Sequence, residues 1–194
     1  VSSTLLEGLK RLEYRGYDSS GIATINANKI ERVRSKGNLS FLEEKLSNTN
    51  LPGNIGVGHT RWATHGTPDE KNAHPHITDK VAVVHNGIIE NNNQIRNQLI
   101  ESGVEFSSDT DTEVICHVLT TYLNSGLSAY DSIRATMNDI RGTYALGVLV
   151  LSEPEKLYAV RGGSPLAIGS TKNQNFIGSD TYSLSAYSKN ITYL

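Results

Sequence analysis

The spacing of apolar residues predicts four main amphipathic helices. Apolar side chains recur every three or four positions, which puts them on one helical face, over residues 4–12, 92–102, 111–124 and 128–141. Thr4 with Glu7, and Thr110 with Glu113, have the spacing of a capping box, a common helix start. A shorter surface helix is predicted around residues 39–46.

The segments between and after these helices have the apolar runs of β-strands. Residues 21–25 and 30–34 predict a hairpin, because Asn26–Asn28 between them is a turn sequence. Val81–Val84 is continuously apolar, as in a strand buried on both faces, and the following His85–Gly87 resembles a turn. Further strands are predicted over residues 53–60, 143–151, 156–161, 166–168, 175–179 and from 191 onward.

The order of these elements predicts a layered α+β architecture. Strands that follow one another without a crossover helix indicate antiparallel sheets. The helices must then cover the outer faces of those sheets. At 194 residues, without an internal repeat or a linker, the chain is expected to form one globular unit.

Composition narrows the classes of function. The formal net charge is −2, so the chain lacks the basic surface that binding to a nucleic-acid backbone requires. No apolar run approaches the roughly 20 residues that span a bilayer, so we expect no membrane partner. No secretory signal opens the chain, and the single cysteine cannot form an internal disulfide. These features predict a cytoplasmic protein.

Five of the six histidines lie within residues 59–85, together with Arg61 and the single tryptophan, Trp62. The helical and strand patterns fade after Thr60, so a strand end there runs into a loop. Such loops are where ligand contacts concentrate.

Three interpretations of this cluster stay open. A zinc site would use His74 and His76 with His59 or His65, but the ligand spacing of known zinc motifs is absent, and we expect no metal. The histidines could be hydrogen-bonded structural residues. Finally, the segment could line a polar pocket in which Arg61 binds a carboxylate through two parallel donors.

The sequence offers no evident internal nucleophile. Cys116 and His117 are adjacent, and neighbours on a helix point about 100° apart, so they cannot form a thiolate–imidazolium pair. Cys116 also lies within an apolar helix, where a thiol is usually an inert small hydrophobe. Motifs of serine hydrolases, phosphate-binding loops and dinucleotide-binding folds are absent.

Five short motifs follow one another along the chain: Leu12–Gly21, His59–Gly66, Asn72–His76, Val84–Asn91 and Ser108–Glu113. In this order they resemble the glutaminase domain of the glutamine:fructose-6-phosphate amidotransferase family, a class II glutamine amidotransferase. Each motif alone is weak, but together they cover nearly the whole chain. Amidophosphoribosyltransferases and asparagine synthetases share some of these elements and remain alternatives, as does a non-catalytic module that binds glutamine or glutamate.

The resemblance implies an N-terminal-nucleophile hydrolase with a four-layer α/β/β/α sandwich of two stacked antiparallel sheets. In this family the thiolate of the first residue, a cysteine, attacks the side-chain amide of glutamine, and its own α-amine acts as base. Ammonia and then glutamate are released. No cofactor is implied.

The resemblance also implies a role for each of several residues. The Asn86 side chain and the Gly87 backbone N–H would form the oxyanion hole, although Asn86 and Gly87 could instead be only a tight turn. Arg61 and Asp111 would hold the α-carboxylate and α-ammonium of glutamine, although Asp111 could be only part of the helix cap.

Three residues of the loop after Thr60 complete the implied site. Thr64 and His65 would be hydrogen-bonding neighbours of the bound amino acid. Trp62 would cover the site, excluding water or gating the passage of ammonia. A buried core position is the alternative for Trp62.

Compared with the family, residues 1–194 lack the leading strand Cys-Gly-Ile-Val-Gly and the C-terminal sugar isomerase domain. We therefore expect an incomplete domain that is inactive by itself. In the full-length enzyme, which the resemblance implies to be a homo-oligomer, the ammonia would convert fructose 6-phosphate to glucosamine 6-phosphate.

Overall fold

The structure, a computed structural model, describes residues 1–62 and 67–194. Thr64 and His65 lie outside the described residues. The helices are α1 (Ser2–Lys10), α2 (Leu39–Asn48), α3 (Asn92–Glu101), α4 (Asp111–Asn124), α5 (Ala129–Asp139) and α6 (Thr181–Leu184). The strands are β1 (Ser19–Asn26), β2 (Lys29–Lys36), β3 (Ile55–Arg61), β4 (His76–Ile77), β5 (Val81–Ile89), β6 (Gly142–Val150), β7 (Leu157–Gly162), β8 (Ala167–Ser170), β9 (Asn175–Gly178) and β10 (Asn190–Tyr193).

The described strands form stacked antiparallel sheets, so the predicted α+β class and stacking are confirmed. One sheet has the order β4-β5-β6-β7, and the layer against it consists of β2-β1-β3 and β10-β8-β9. Val57 of β3 and Ile177 of β9 both pack at Gly147 of β6, which places both three-stranded sheets on the same face of the four-stranded one. The second layer is therefore divided, where the resemblance implies one continuous sheet.

Three apolar clusters hold the layers together. Helices α1 and α2 cover the outer face of β1 through a cluster around Leu9, Ile22 and Leu42. Ala23, Val57 and Leu149 are part of the cluster between the stacked sheets. Helices α3, α4 and α5 cover the outer face of β5 and β6 with the largest cluster. Because the central strands β1, β5 and β6 are largely buried on both faces, the order of layers is helix, sheet, sheet, helix.

Most predicted elements are confirmed, including the four main helices within about two residues of their predicted ends. The hairpin turn lies at Ala27 and Asn28, which have the positive φ angles of 46° and 60° that a two-residue hairpin turn requires. The capping box at Thr4 and Glu7 is wrong. Helix α1 begins at Ser2 without a side-chain cap, and Glu7 pairs with Lys10 at 2.9 Å.

The turn predicted at His85–Gly87 is also wrong. Strand β5 continues through these residues to Ile89, and Gly87 pairs with Tyr144 of β6. Gly87 has a φ of 137°, and a Cβ there would collide with the carbonyl oxygen of Thr143. The glycine thus permits the close approach of two strands. In the sequence alone, the same Asn-Gly pair looks like a turn.

No described helix is long and apolar enough to cross a membrane.

Candidate active site

A cavity of about 1360 Å³ lies between the stacked sheets and reaches the end of β3. Its lining includes the described residues to which a site role was assigned: Arg61, Trp62, Asn86, Gly87 and Asp111. These residues come from the end of β3 and the residue after it, the end of β5 and the start of α4. Arg61, Asn86 and Asp111 are 25 to 50 positions apart in sequence. The fold therefore brings them to one cavity.

Asn86 projects from the face of β5 that lies between the sheets. Its Oδ1 lies 2.7 Å from Nε2 of His59, which projects from β3. The next residue, Gly87, is exposed at the rim, where its backbone is open to the cavity. The consecutive residues Asn86 and Gly87 thus present a side-chain amide and a backbone N–H, respectively, to the cavity.

Asp111 is the first residue of α4, and its carboxylate is buried. Its Oδ2 accepts a hydrogen bond of 2.8 Å from the backbone N–H of Ile89, which ties the start of α4 to the end of β5. The Thr110 hydroxyl accepts from the N–H of Glu113 at 3.4 Å, so the N-cap half of the predicted capping box is confirmed. The other half is wrong, because the Thr110 N–H donates to the Ser108 hydroxyl and not to Glu113. Asp111 itself is not the capping side chain.

Glu113 fixes the loop that precedes Asp111. Its carboxylate accepts four hydrogen bonds of 2.5–2.8 Å from the backbone N–H and hydroxyl groups of Ser107 and Ser108. Arg96 donates to the carbonyl oxygens of Ser108 and Thr110 at 3.0 and 2.6 Å. This anchoring role could not be recognised from the sequence, because the capping-box spacing accounts for Glu113 without it.

Replacing Glu113 by Gln is expected to lower the free energy of unfolding by about 2–3 kcal/mol at pH 7, since its amide group would face N–H and O–H donors. Burial raises the pKa of Glu113, but hydrogen bonds from His117, Ser108 and Ser107 outweigh it and hold the pKa well below its usual range. The stabilisation is therefore present above the unfolded pKa of about 4.3 and is lost as the pH falls.

Urea titrations of wild type and Glu113→Gln at pH 7 and pH 3 test this, with Glu101→Gln at the exposed end of α3 as the control. The difference in the free energy of unfolding between wild type and Glu113→Gln should be smaller at pH 3 than at pH 7. An equal difference at both pH values would contradict the electrostatic account.

Arg61, the last residue of β3, has a buried side chain, 4% exposed. One guanidinium nitrogen lies 3.5 Å from the carbonyl oxygen of Thr67. Burial lowers its pKa, and the carboxylates of Asp18 and Asp111 act in the opposite direction. The cavity thus contains the guanidinium of Arg61 and the carboxylate of Asp111, the two opposite charges that would complement a zwitterionic ligand. Asp18 lies within the Leu12–Gly21 motif, and no role was predicted for it from the sequence.

Trp62 is 60% exposed, so the alternative of a buried core position is wrong. Its ring makes an edge-to-face contact with exposed Tyr17 at 5.5 Å between centroids. The indole therefore lies at the surface beside Arg61, where it borders the cavity.

Three histidine rings form a line, in which His74 and His76 are buried and His59 is half-buried. The centroid of His74 lies 4.5 Å from that of His59 and 5.1 Å from that of His76, and His76 Nε2 lies 2.9 Å from the hydroxyl of Thr110. Burial lowers the pKa of His59 to about 4 and that of His76 to about 3, so these rings are neutral at pH 7. Within residues 1–62 and 67–194, no three His, Cys, Asp or Glu side chains are grouped to hold a metal ion.

Cys116 lies on α4 with 0% exposure, packed in the cluster between the helices and β5. Burial raises the pKa of its thiol far above the usual range. The prediction that Cys116 is a packed core residue is confirmed, and it does not line the cavity.

The cavity also contains a groove between two strand edges. Residues 55–58 of β3 line one side and residues 175–178 of β9 line the other. Among the described strands, β3 pairs only with β1, and β9 only with β8. Both edges therefore present backbone N–H and C=O groups toward the same groove.

The chain resembles known proteins in both sequence and fold. A profile described as a glutamine amidotransferase domain matches residues 59–186. The glutamine--fructose-6-phosphate aminotransferases (isomerizing) of Bartonella henselae and Rhizobium meliloti are 51% and 50% identical over all 194 residues, and the chain covers 32% of each. It thus spans about a third of the length of these relatives.

Solved structures agree on the fold. The glutamine phosphoribosylpyrophosphate amidotransferase of B. subtilis is 25% identical and superimposes with a TM-score of 0.82, over 99% of this chain and 42% of that one. The profile covers more than half of the chain, and it includes the ends of β3 and β5 and the start of α4. The chain therefore belongs to the family of class II glutamine amidotransferase domains.

Proposed function

We propose that this domain hydrolyses L-glutamine to glutamate and ammonia. The observation that carries the proposal is the meeting of Arg61, Asp111, Asn86 and Gly87 at one cavity. Glutamine presents an α-carboxylate, an α-ammonium and a side-chain amide, and these four residues offer a complement to each.

Arg61 and Asp111 bind the amino-acid end of the substrate in this proposal. A guanidinium offers parallel donors to the α-carboxylate, and a carboxylate attracts the α-ammonium. Since Oδ2 of Asp111 already accepts from Ile89, Oδ1 is the oxygen assigned to the ammonium. Thr64 and His65 are proposed as hydrogen-bonding neighbours of this end.

Asn86 and Gly87 act at the other end of the substrate. Attack on the amide carbon places negative charge on its oxygen, and two preorganised donors lower the energy of that state. The Nδ2 amide of Asn86 and the N–H of Gly87 are the proposed donors.

The proposed nucleophile is a cysteine at the start of a leading strand that would precede Val1. The groove between β3 and β9 supports this proposal, because an added strand could pair with both edges and join the divided layer. The thiol would give its proton to its own α-amine and attack the amide carbon. The amine would pass the proton to the leaving ammonia, and water would then release glutamate from the thioester.

The relatives are glutamine--fructose-6-phosphate aminotransferases, and their names suggest what happens to the ammonia. We propose that it aminates fructose 6-phosphate in a separate sugar isomerase domain, giving glucosamine 6-phosphate, and that exposed Trp62 covers the site during transfer. A cytoplasmic homo-oligomer is the proposed setting. Amidophosphoribosyltransferase activity is the second candidate, since the solved B. subtilis relative shares the fold.

Replacing Arg61 by Ala in the full-length protein is expected to weaken glutamate binding by about 1.5–3 kcal/mol, the range for hydrogen bonds to charged groups. Isothermal titration calorimetry measures this loss. Arg61→Lys should recover only part of it, because an ammonium lacks the two parallel donors.

Arg32→Ala is the matched control. Arg32 is half-buried and donates to the carbonyl of Pro75 at 3.0 Å, much as Arg61 approaches Thr67, but it does not line the cavity. Equal losses in the two alanine variants would remove Arg61 from the binding site.

A further inference from the structure

Asn86 needs a particular amide orientation for the role proposed above. An asparagine amide carries an acceptor and a donor group at opposite corners, and rotation by 180° exchanges them. Only Nδ2 can donate to a developing oxyanion. If Oδ1 faced the substrate instead, it would repel the charge.

His59 is the group that meets Oδ1 of Asn86. The two side chains approach from strands of different sheets, β3 and β5, and the distance of 2.7 Å is that of a short hydrogen bond. With Oδ1 directed at the imidazole, Nδ2 is directed away from it, on the side open to the cavity.

The surroundings of His59 select the tautomer that makes this bond. Nδ1 of His59 is buried and has no hydrogen-bond partner among the described residues. A proton on Nδ1 would be a buried donor without an acceptor, a rare and costly arrangement. The proton therefore belongs on Nε2, which donates to Oδ1 of Asn86.

The position of the His59 ring is itself fixed by packing. His74 lies against one side of the ring, with centroids 4.5 Å apart. The backbone of His74 lies close to β1. A Cβ added at Gly21 of β1 would lie only 2.4 Å from the His74 carbonyl oxygen. His76 continues the line to Thr110, which caps α4 directly before Asp111.

We propose that His59 is a positioning residue that holds the Asn86 amide with Nδ2 toward the substrate carbonyl. The inference rests on the proposed glutaminase function. Burial keeps the ring neutral at pH 7, so one ring proton serves as a fixed donor. In this proposal His59 acts through its hydrogen bond to Asn86 and not on the reacting atoms.

The test compares His59→Leu, His59→Gln and wild type in the full-length protein. His59→Leu removes the donor, and we expect kcat for glutamine hydrolysis to fall about 10- to 100-fold, less than the loss of the oxyanion donor itself. KM and glutamate affinity should change less than about twofold, because Arg61 and Asp111 remain. His59→Gln can donate from its own amide and should restore most of kcat.

A double-mutant cycle separates positioning from a general structural effect. In an Asn86→Ala background, His59→Leu should cause no further loss of kcat, since the residue it orients is absent. Independent, multiplying losses would overturn the proposal. If His59→Leu does not fold, the same cycle with His59→Asn, whose shorter amide cannot reach Asn86, replaces it.

Affinity for the aldehyde analogue of glutamine gives a second readout. The thiolate adds to the aldehyde carbon, and the former carbonyl oxygen becomes an oxyanion at the donors of Asn86 and Gly87. His59→Leu should weaken this inhibitor in proportion to kcat and leave glutamate binding unchanged. Unchanged inhibition or unchanged kcat would overturn the role of His59. Wild-type protein that releases no glutamate would instead overturn the proposed function.

Discussion

A polypeptide of residues 1–194 alone is expected to release no ammonia from glutamine, and one extended by Cys-Gly-Ile-Val-Gly before Val1 is expected to release it. Covalent catalysis needs an activated nucleophile within reach of a base. Cys116 is fully buried on α4, with its pKa raised by burial. An N-terminal cysteine would carry its base, the α-amine, on the same residue. Glutamate formation measured by a coupled assay compares the two chains.

Two variants of the extended chain make this comparison specific. Cys116→Ala should retain activity, because the thiol packs in the core and does not line the cavity. Thr112→Val removes a hydroxyl that lies 3.0 Å from Nδ1 of His85, and the nucleophilic step should persist because the assigned nucleophile is the leading cysteine. Activity in the short chain, or its loss in either variant with the fold intact, would contradict the assignment of the nucleophile.

Asn86→Ala in the full-length protein is expected to lower kcat about 10²–10³-fold, the usual cost of removing one oxyanion donor. Asn86→Asp should lose at least as much, since it keeps the size of the side chain but places a carboxylate where the oxyanion develops. KM should change little in both, because the amino-acid end of glutamine is held elsewhere. Steady-state kinetics of glutamate release measure both parameters.

Asn93→Ala is the control for these variants, since Asn93 is exposed on α3. Its kinetics should match wild type. A value of kcat within about threefold of wild type in Asn86→Asp would exclude Asn86 from the oxyanion hole.

Local sequence signals predicted the elements whose hydrophobic pattern lies within one short stretch of sequence. Helices α3, α4 and α5 have strong apolar periodicity, and each was predicted within about two residues of its observed ends. The end of β5 was missed because Asn86 and Gly87 resemble a turn, whereas pairing with β6 keeps them extended. Such pairing joins residues more than 50 positions apart, so a short stretch of sequence does not reveal it.

In the candidate site, too, some features could be predicted from short sequence motifs and others depend on the tertiary fold. Motif resemblance pointed to Arg61, Asn86, Gly87 and Asp111, and the fold brings these residues to one cavity. The hydrogen bond from His59 to Asn86 and the anchoring of the loop by Glu113 could not be predicted. Each depends on how the layers are stacked or how a loop folds back, and the histidine cluster alone did not say which ring meets which partner.

We propose above all that glutamine binds at this cavity and is attacked by the thiol of a leading cysteine. A diazoketone analogue of glutamine tests it directly, because the attacking thiol displaces dinitrogen and keeps a stable thioether that peptide mass spectrometry can locate. The account predicts labelling of the leading cysteine in the full-length protein, prevented by excess glutamine and slowed in Arg61→Ala. Labelling of Cys116, or labelling at the same rate in Arg61→Ala as in wild type, would contradict it.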